Sequence, residues 1–306
     1  MKVPAEHRST AVSYDTPDGM MSKTLGELDD EAGSGDPEAQ YLLGSEFLFG
    51  EKIPQDMGKA FELLEASAGQ GFPDAEALLL VQYMNGVYTG IDEETAVRYA
   101  EDSAKAGIAE GQLFYGTAFL DGICVKQDYK EAMRWFRAAA SQGLQDARCS
   151  LGYMFMNGLG TPADPAKAFR LYRIAAEGGN KDGMFHAGVC LEFGEGTEAD
   201  LKKAASWYRR AAEKGDAESA YRLGIILSEG GDGIGKDPAG SFEWTVKAAA
   251  GGFPDAMVQA ATDYLTGYGT EQSREEAVKW LNLAKEAGAA GAEEILASLG
   301  KGNSTN

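Results

Sequence analysis

The chain has 306 residues, 44% of them hydrophobic, and 48 acids against 28 bases give it a net charge of −20. Such a charge repels a nucleic-acid backbone, and no apolar run approaches the roughly 18 residues of a membrane span, so neither nucleic-acid binding nor membrane insertion is expected. Cys124, Cys149 and Cys190 have no metal-ligand spacing, and with only His7 and His186 besides, a histidine-based metal site or triad is not expected.

Residues 1–21 show no apolar h-region and no helical periodicity, so they are expected to be a disordered tail without a signal peptide. With the odd cysteine count, this points to a reducing, cytoplasmic setting, most simply bacterial. The charge is uneven: residues 1–108 hold 21 acids and 7 bases, residues 109–216 hold 14 of each, and residues 217–306 hold 13 and 7. The acidic first third reads either as a solvated surface or as a face for a basic partner.

From residue 22 the chain repeats itself. "LGELDDEAGSG" aligns Leu25 with Phe61, Leu28 with Leu64 and Gly35 with Gly71, so it reads as a capping half-repeat. Glycine then recurs at 50, 86, 122, 158, 194, 230 and 267, and again at 71, 107, 143, 179, 215, 252 and 288. A small residue recurs at Ala39, Ala75, Gly111, Ala147, Gly183, Ser219 and Ala256, and a bulky one at Tyr99, Trp135, Leu171, Trp207, Trp244 and Trp280. Four registers held in step across seven copies define the architecture before any local motif does.

Each copy predicts two helices. In copy four the first runs over Gln145–Asn157 to Gly158, and the second over Pro165–Glu177 to Gly178–Gly179. Ala147, Leu151 and Phe155 fall within about 80° of arc and form the stripe that packs on the second helix. Gly44, Gly116, Gly152, Gly188 and Gly224 lie beside it. An interior glycine costs a helix about 1 kcal/mol, so a close helix–helix approach is expected there. The tryptophan column is expected to fill the core of the second helix. No segment alternates with period two, so no sheet is expected. "AGAEEILASLG" then supplies a C-terminal capping helix, and residues 301–306 a second tail.

The pattern of a small residue, Leu-Gly, an aromatic, Gly, a Gly/Pro loop, Ala-x2-Trp and Ala-Ala-Gly, as in "AYRLGIILSEGGDGIGKDPAGSFEWTVKAAAGG", resembles the Sel-one-like repeat (SLR) family, a branch of the tetratricopeptide-like (TPR-like) superfamily. The resemblance covers residues 22–300. It implies an all-α, right-handed α-solenoid of seven helix–turn–helix repeats of about 36 residues with capping half-repeats, acting as an interaction scaffold without chemistry of its own. Some secreted members carry a disulfide in each repeat. The cysteines here do not recur at the repeat period, so that subtype does not apply.

Within copy six, "GGDGIGKD" at Gly230–Asp237 satisfies the first seven positions of a P-loop. A P-loop needs a strand before it. A helix is predicted there, and Asp237 stands where magnesium would need Ser or Thr, so the segment reads as an inter-helix turn. "EFGEGTEAD" fails as a dinucleotide fingerprint for the same reason. No catalytic constellation survives, so the chain is expected not to be an enzyme and to take no cofactor, metal or small-molecule substrate.

Two columns remain as candidate sites. An acid precedes every small residue: Glu38, Asp74, Glu110, Asp146, Asp182, Glu218 and Asp255. It reads as a ladder for a basic ligand, or as charges complementing helix macrodipoles. On the first helices, about 150° from the packing stripe, Tyr41, Leu48, Met84, Leu113, Leu120, Tyr153, Met156, Phe185, Tyr221 and Ile225 form a mostly apolar face. It is either buried between neighbouring first helices or a concave groove for a peptide or helical segment. The leading expectation is a protein-binding scaffold or adaptor. Its rival is an acidic inhibitor or immunity protein that neutralises a basic partner through Asp29, Asp30, Glu31 and Asp36.

Overall fold

The structure, a computed structural model, describes residues 2–16 and 19–301; the expectation for residues 302–306 lies outside it. Among the described residues are sixteen α-helices and one two-stranded hairpin. The chain divides into two compact units, one ending at Ala147 and one beginning at Arg148.

In the first unit, β1 (Ala11–Thr16) pairs antiparallel with β2 (Gly19–Thr24), which leads directly into α1 (Leu25–Gly33). This corrects the expectation of no sheet and differs from the tail expected over residues 1–21. Val3 and Val12 are buried, and the Leu25 and Gly26 N–H groups donate to the Thr10 and Arg8 carbonyls. The helix pairs follow: α2 (Pro37–Phe49) with α3 (Met57–Ala68), α4 (Pro73–Met84) with α5 (Glu93–Lys105), and α6 (Ala109–Asp121) with α7 (Tyr129–Ser141). The second unit begins within α8 (Gln145–Asn157), which precedes α9 (Pro165–Glu177). It continues with α10 (Lys181–Phe193) and α11 (Leu201–Glu213), then α12 (Ala217–Glu229) and α13 (Pro238–Ala250). Last come α14 (Pro254–Thr266) with α15 (Arg274–Glu286), and the capping α16 (Ala292–Lys301). Within each unit the pairs stack as an all-α solenoid.

One turn chemistry recurs seven times. The residue before each second helix is Asp56, Asp92, Asp128, Asp164, Asp200, Asp237 or Ser273, and its side chain accepts a free N–H of the first turn. Gly50, Gly122, Gly194 and Gly267 end first helices at φ of 68–76°, a region where a Cβ is strained.

The helix pairs interlock by size. A Cβ on Gly116 would lie 2.7 Å from the Phe136 ring, and one on Gly152 or Gly188 would lie 2.6 Å from Tyr172 or Tyr208. These rings are the core of the second helices, with Phe136 and Tyr208 fully buried. The close approach at the glycines is therefore chiefly ring against backbone. At Trp135 and Trp207 the tryptophan expectation is corrected by one residue, about 100° of helix, whereas Tyr99 and Trp244 of the same column are buried as expected. Trp135 and Trp207 are half-buried, with the Arg134 and Arg210 guanidiniums 4.1 and 4.3 Å from their ring centres.

Candidate functional site

In the first unit the face expected on the first helices gathers around Tyr41. Its ring lies 5.5 Å from Phe72. Burial, then the Asp74 and Glu110 carboxylates, raise its phenol above the ordinary value. Two cavities, of about 530 and 370 Å³, share Tyr41 and Asp74; Glu38 lines the first and Glu110 the second. Met84 is 53% exposed, and Leu113 and Leu120 are half-buried. Leu48 does not line the face. It is buried in the same cluster as Ile53, which the loop of copy one contributes to the core.

In the second unit Tyr153 is 48% exposed and Ile225 37%, while Met156, Phe185 and Tyr221 are half-buried. The Phe185 ring lies 5.1 Å from His186 and the Tyr221 ring 5.2 Å from Phe253. His186 stacks on Tyr172 at 4.7 Å and is held below its usual pKa by burial, so it is a core residue.

The acidic cluster near the N-terminus is paired within the chain, with Asp30 and Asp36 still exposed. Asp29 is buried, accepts the Val3 N–H at 3.1 Å and pairs with Arg8 at 2.5 Å. Asp30 takes the other Arg8 nitrogen at 2.8 Å, and Lys23 pairs with Glu31 at 2.6 Å. Asp36 caps α2 through the Ala39 N–H. Asp29 is thereby removed from the expected partner surface by burial, while the Arg8–Asp30 and Lys23–Glu31 pairs tie the N-terminal segment to α1. The acidic column that includes Glu38, Asp74 and Glu110 lies in first turns, where it complements the macrodipoles.

The P-loop match is a turn. α12 precedes it, Gly231 bridges Ile234, and Asp237 caps α13 through the Gly240 N–H. Among the described residues no cluster of His, Cys, Asp or Glu is arranged to hold a metal, and no helix is long and apolar enough to cross a membrane.

Column reading missed a cavity of about 560 Å³ between copies six and seven, lined by Gly224, Ser241 and Thr245 on one side and Thr262 and Asp263 on the other. Its signal is a departure from the repeat. Thr245 stands in the column of Phe136, Tyr172 and Tyr208, and Ser241 in an otherwise alanine column at 60, 96, 132, 168, 204 and 277. Asp263 stands where copies three to six have Ala118, Met154, Cys190 and Ile226.

The Sel1 repeat family model matches residues 37–72, 82–108, 109–144, 145–180, 181–216, 217–253 and 254–288. The chain is similar to a Sel1 repeat protein from Oxalobacter formigenes, with 28% identity over 89% of this chain and 78% of that one and a TM-score of 0.69. A protective antigen of uropathogenic Escherichia coli strains displaying an SLR fold is 29% identical over 90% of this chain and 67% of its own, at a TM-score of 0.46. An immunity protein from Pseudomonas aeruginosa aligns at 13% identity over 70% and 81%, with a TM-score of 0.47, values that carry no functional argument. No curated protein matches the chain.

Proposed function

Because this chain belongs to the Sel1 repeat family, we propose that it is a non-catalytic scaffold or adaptor that binds a peptide or helical segment on the first-helix faces of its units. Sel1 repeat proteins are generally protein-interaction scaffolds. The observation that carries the reading is the retained exposure of large side chains on that face: Met84 at 53%, Tyr153 at 48% and Ile225 at 37%. A helix face that only met water would be polar, and aromatic side chains give large contact area for few frozen rotors. The inhibitor reading keeps Asp30, Glu31 and Asp36 as accessible acids but loses Asp29, which is buried against Arg8. A reducing cytosol suits three cysteines that form no disulfide, with burial pushing the Cys190 thiol up to about 12.

The test is quantitative affinity capture from lysate, comparing wild type with the Tyr153→Ala/Tyr221→Ala double variant. A specific protein should be retained by wild type and weakened by at least about 2 kcal/mol in the variant, which must still melt cooperatively. Equal retention by both proteins would remove the face from the binding site.

A further inference from the structure

Three positions of one cavity depart from the repeat, Ser241 and Thr245 in copy six and Asp263 in copy seven, and all three departures are polar. In copies three to five an aromatic ring seats on the glycine of the first helix. In copy six Gly224 meets Thr245, whose Oγ1 would lie 2.9 Å from an added Cβ. Both partners are small, and the missing ring contributes to a cavity of about 560 Å³ that also borders Thr262, Asp263 and Thr266 of the next copy. That size lies within the range of small-ligand sites. Ser241 brings a hydroxyl where other copies carry a methyl, and Thr262, Thr266 and Tyr268 add three more.

Asp263 decides what the cavity can hold. It is 2% exposed, and its carboxylate takes one side-chain hydrogen bond, from Gln259 at 2.9 Å. Burial raises its pKa, against the lowering pull of the Gln259 hydrogen bond. The same column in copy one holds Glu46, which pairs with Lys52 at 3.0 Å. Glu229 is a second acid of the lining, which contains no Lys or Arg. A buried carboxylate without a counter-charge is costly unless something supplies one.

We propose that this cavity receives the ammonium or guanidinium of a lysine or arginine side chain presented by a partner protein. The proposal rests on the reading of the chain as a protein-binding scaffold and names one chemical determinant of its partner. Asp263 pairs with the cationic head, while the hydroxyls of Ser241, Thr245 and Thr262 accept its remaining N–H donors. The Tyr221 ring and Ile225 cover the aliphatic stem.

The probes are acetyl-Gly-Lys-Gly-amide and acetyl-Gly-Arg-Gly-amide, with acetyl-Gly-Gln-Gly-amide as neutral control and free diaminobutane as the competing source of an ammonium. Each is titrated into the full chain and followed by backbone amide NMR. The cationic peptides should give saturable shifts confined to residues 221–268, and the glutamine peptide none. Asp263→Asn, which keeps the shape, should weaken binding at least about tenfold. Thr245→Phe, which restores the ring of copies three to five, should do the same by occlusion; if it fails to fold, Asp263→Asn carries the test alone. Undiminished binding to Asp263→Asn, equal binding of the glutamine peptide, or no saturable shift would overturn the proposal. Tighter binding of diaminobutane than of either peptide would also overturn it in favour of a free small cation. Peptide binding that survives while a Tyr153→Ala single variant, altered outside the cavity lining, retains the captured protein would sink the face and leave the cavity standing. Loss of capture in that variant without peptide binding to wild type would do the reverse.

Discussion

Copies two and three build the same helix–helix junction from opposite ends. In copy three the first helix contributes Gly116 and the second a fully buried Phe136. In copy two the first helix contributes Leu80, 1% exposed, and the second Ala100, fully buried. The volume at the junction is conserved while the residue that supplies it is exchanged, as close packing of interiors requires. Copy six supplies neither large partner and leaves a cavity. A repeat is therefore constrained at the pair of facing positions rather than at either position alone, and a site opens where both lapse.

The largest effect should come from deleting a ring on the glycine. Phe136→Ala or Tyr208→Ala should cost about 3–5 kcal/mol in urea unfolding, since each ring is fully buried against backbone. Trp135→Ala and Trp207→Ala should cost clearly less, because these rings are half-buried, with an arginine guanidinium over each. Equal losses at adjacent positions would break the one-residue assignment of the core.

A second contrast within the first unit concerns a buried polar column. Gln40 and Gln112 each donate to a carbonyl of the preceding second helix, Ala32 and Ala104, and accept from Gln70 and Gln142. Copy two places Glu76 in that column and Ala106 where the partner glutamine would be. Glu76 is 2% exposed, and its Oε2 meets no donor. Burial, then the Asp102 carboxylate, raise its pKa to about 7, against the lowering pull of Arg98. Only the protonated acid can donate as the glutamines do. Its folded pKa exceeds the unfolded one, so the folded state binds more protons between about pH 4.5 and 7. Stability is highest below that window and falls as pH rises through it, by roughly 3 kcal/mol for a displacement of this size. Glu76→Gln should gain about that much at pH 8 and flatten this part of the curve. Denaturant unfolding at pH 5 and pH 8 checks it, and parallel profiles for the two proteins would refute it.

The exchange of volume can be tested directly by importing the junction of copy three into copy two. Leu80→Gly opens a hole and Ala100→Phe overfills the site, so each alone should destabilise. Together they should recover about 1–3 kcal/mol relative to the sum of the single changes. Strict additivity would mean that the two positions do not share one space.

The repeat, the helix boundaries and both capping helices were legible because glycine and small-residue columns recur in register, and each recurrence multiplies the signal. The hairpin was not, although "TPDG" between Tyr14 and Met20 carries turn residues. It occurs once, and a single short strand pair has no repeat to amplify it. At Trp135 and Trp207 the tryptophan column was misread because recurrence marks a constrained position without saying which way it faces. The neighbouring Phe136, Tyr172 and Tyr208 recur over only three copies, yet they face the glycines. The cavity escaped for the opposite reason. Thr245 and Asp263 break their columns, and averaging over copies hides what one copy does alone.

The smallest effect expected is at Lys236, in the turn of copy six. Phosphate binding there would need backbone N–H groups at the start of α13 to be free. The Gly240 N–H is instead taken at 2.9 Å by Asp237, which stands where a P-loop would need Ser or Thr. Gly231 and Ile234 exchange their own backbone hydrogen bonds at 2.9 and 2.8 Å, so the loop is closed on itself. Lys236→Ala should therefore change unfolding stability by less than about 0.5 kcal/mol, the usual range of a surface substitution. Titration calorimetry with ATP and magnesium should give no saturable heat for either protein. A micromolar affinity lost in the variant would show that this turn can open, and would separate copy six from the other copies in its backbone as well as in its packing.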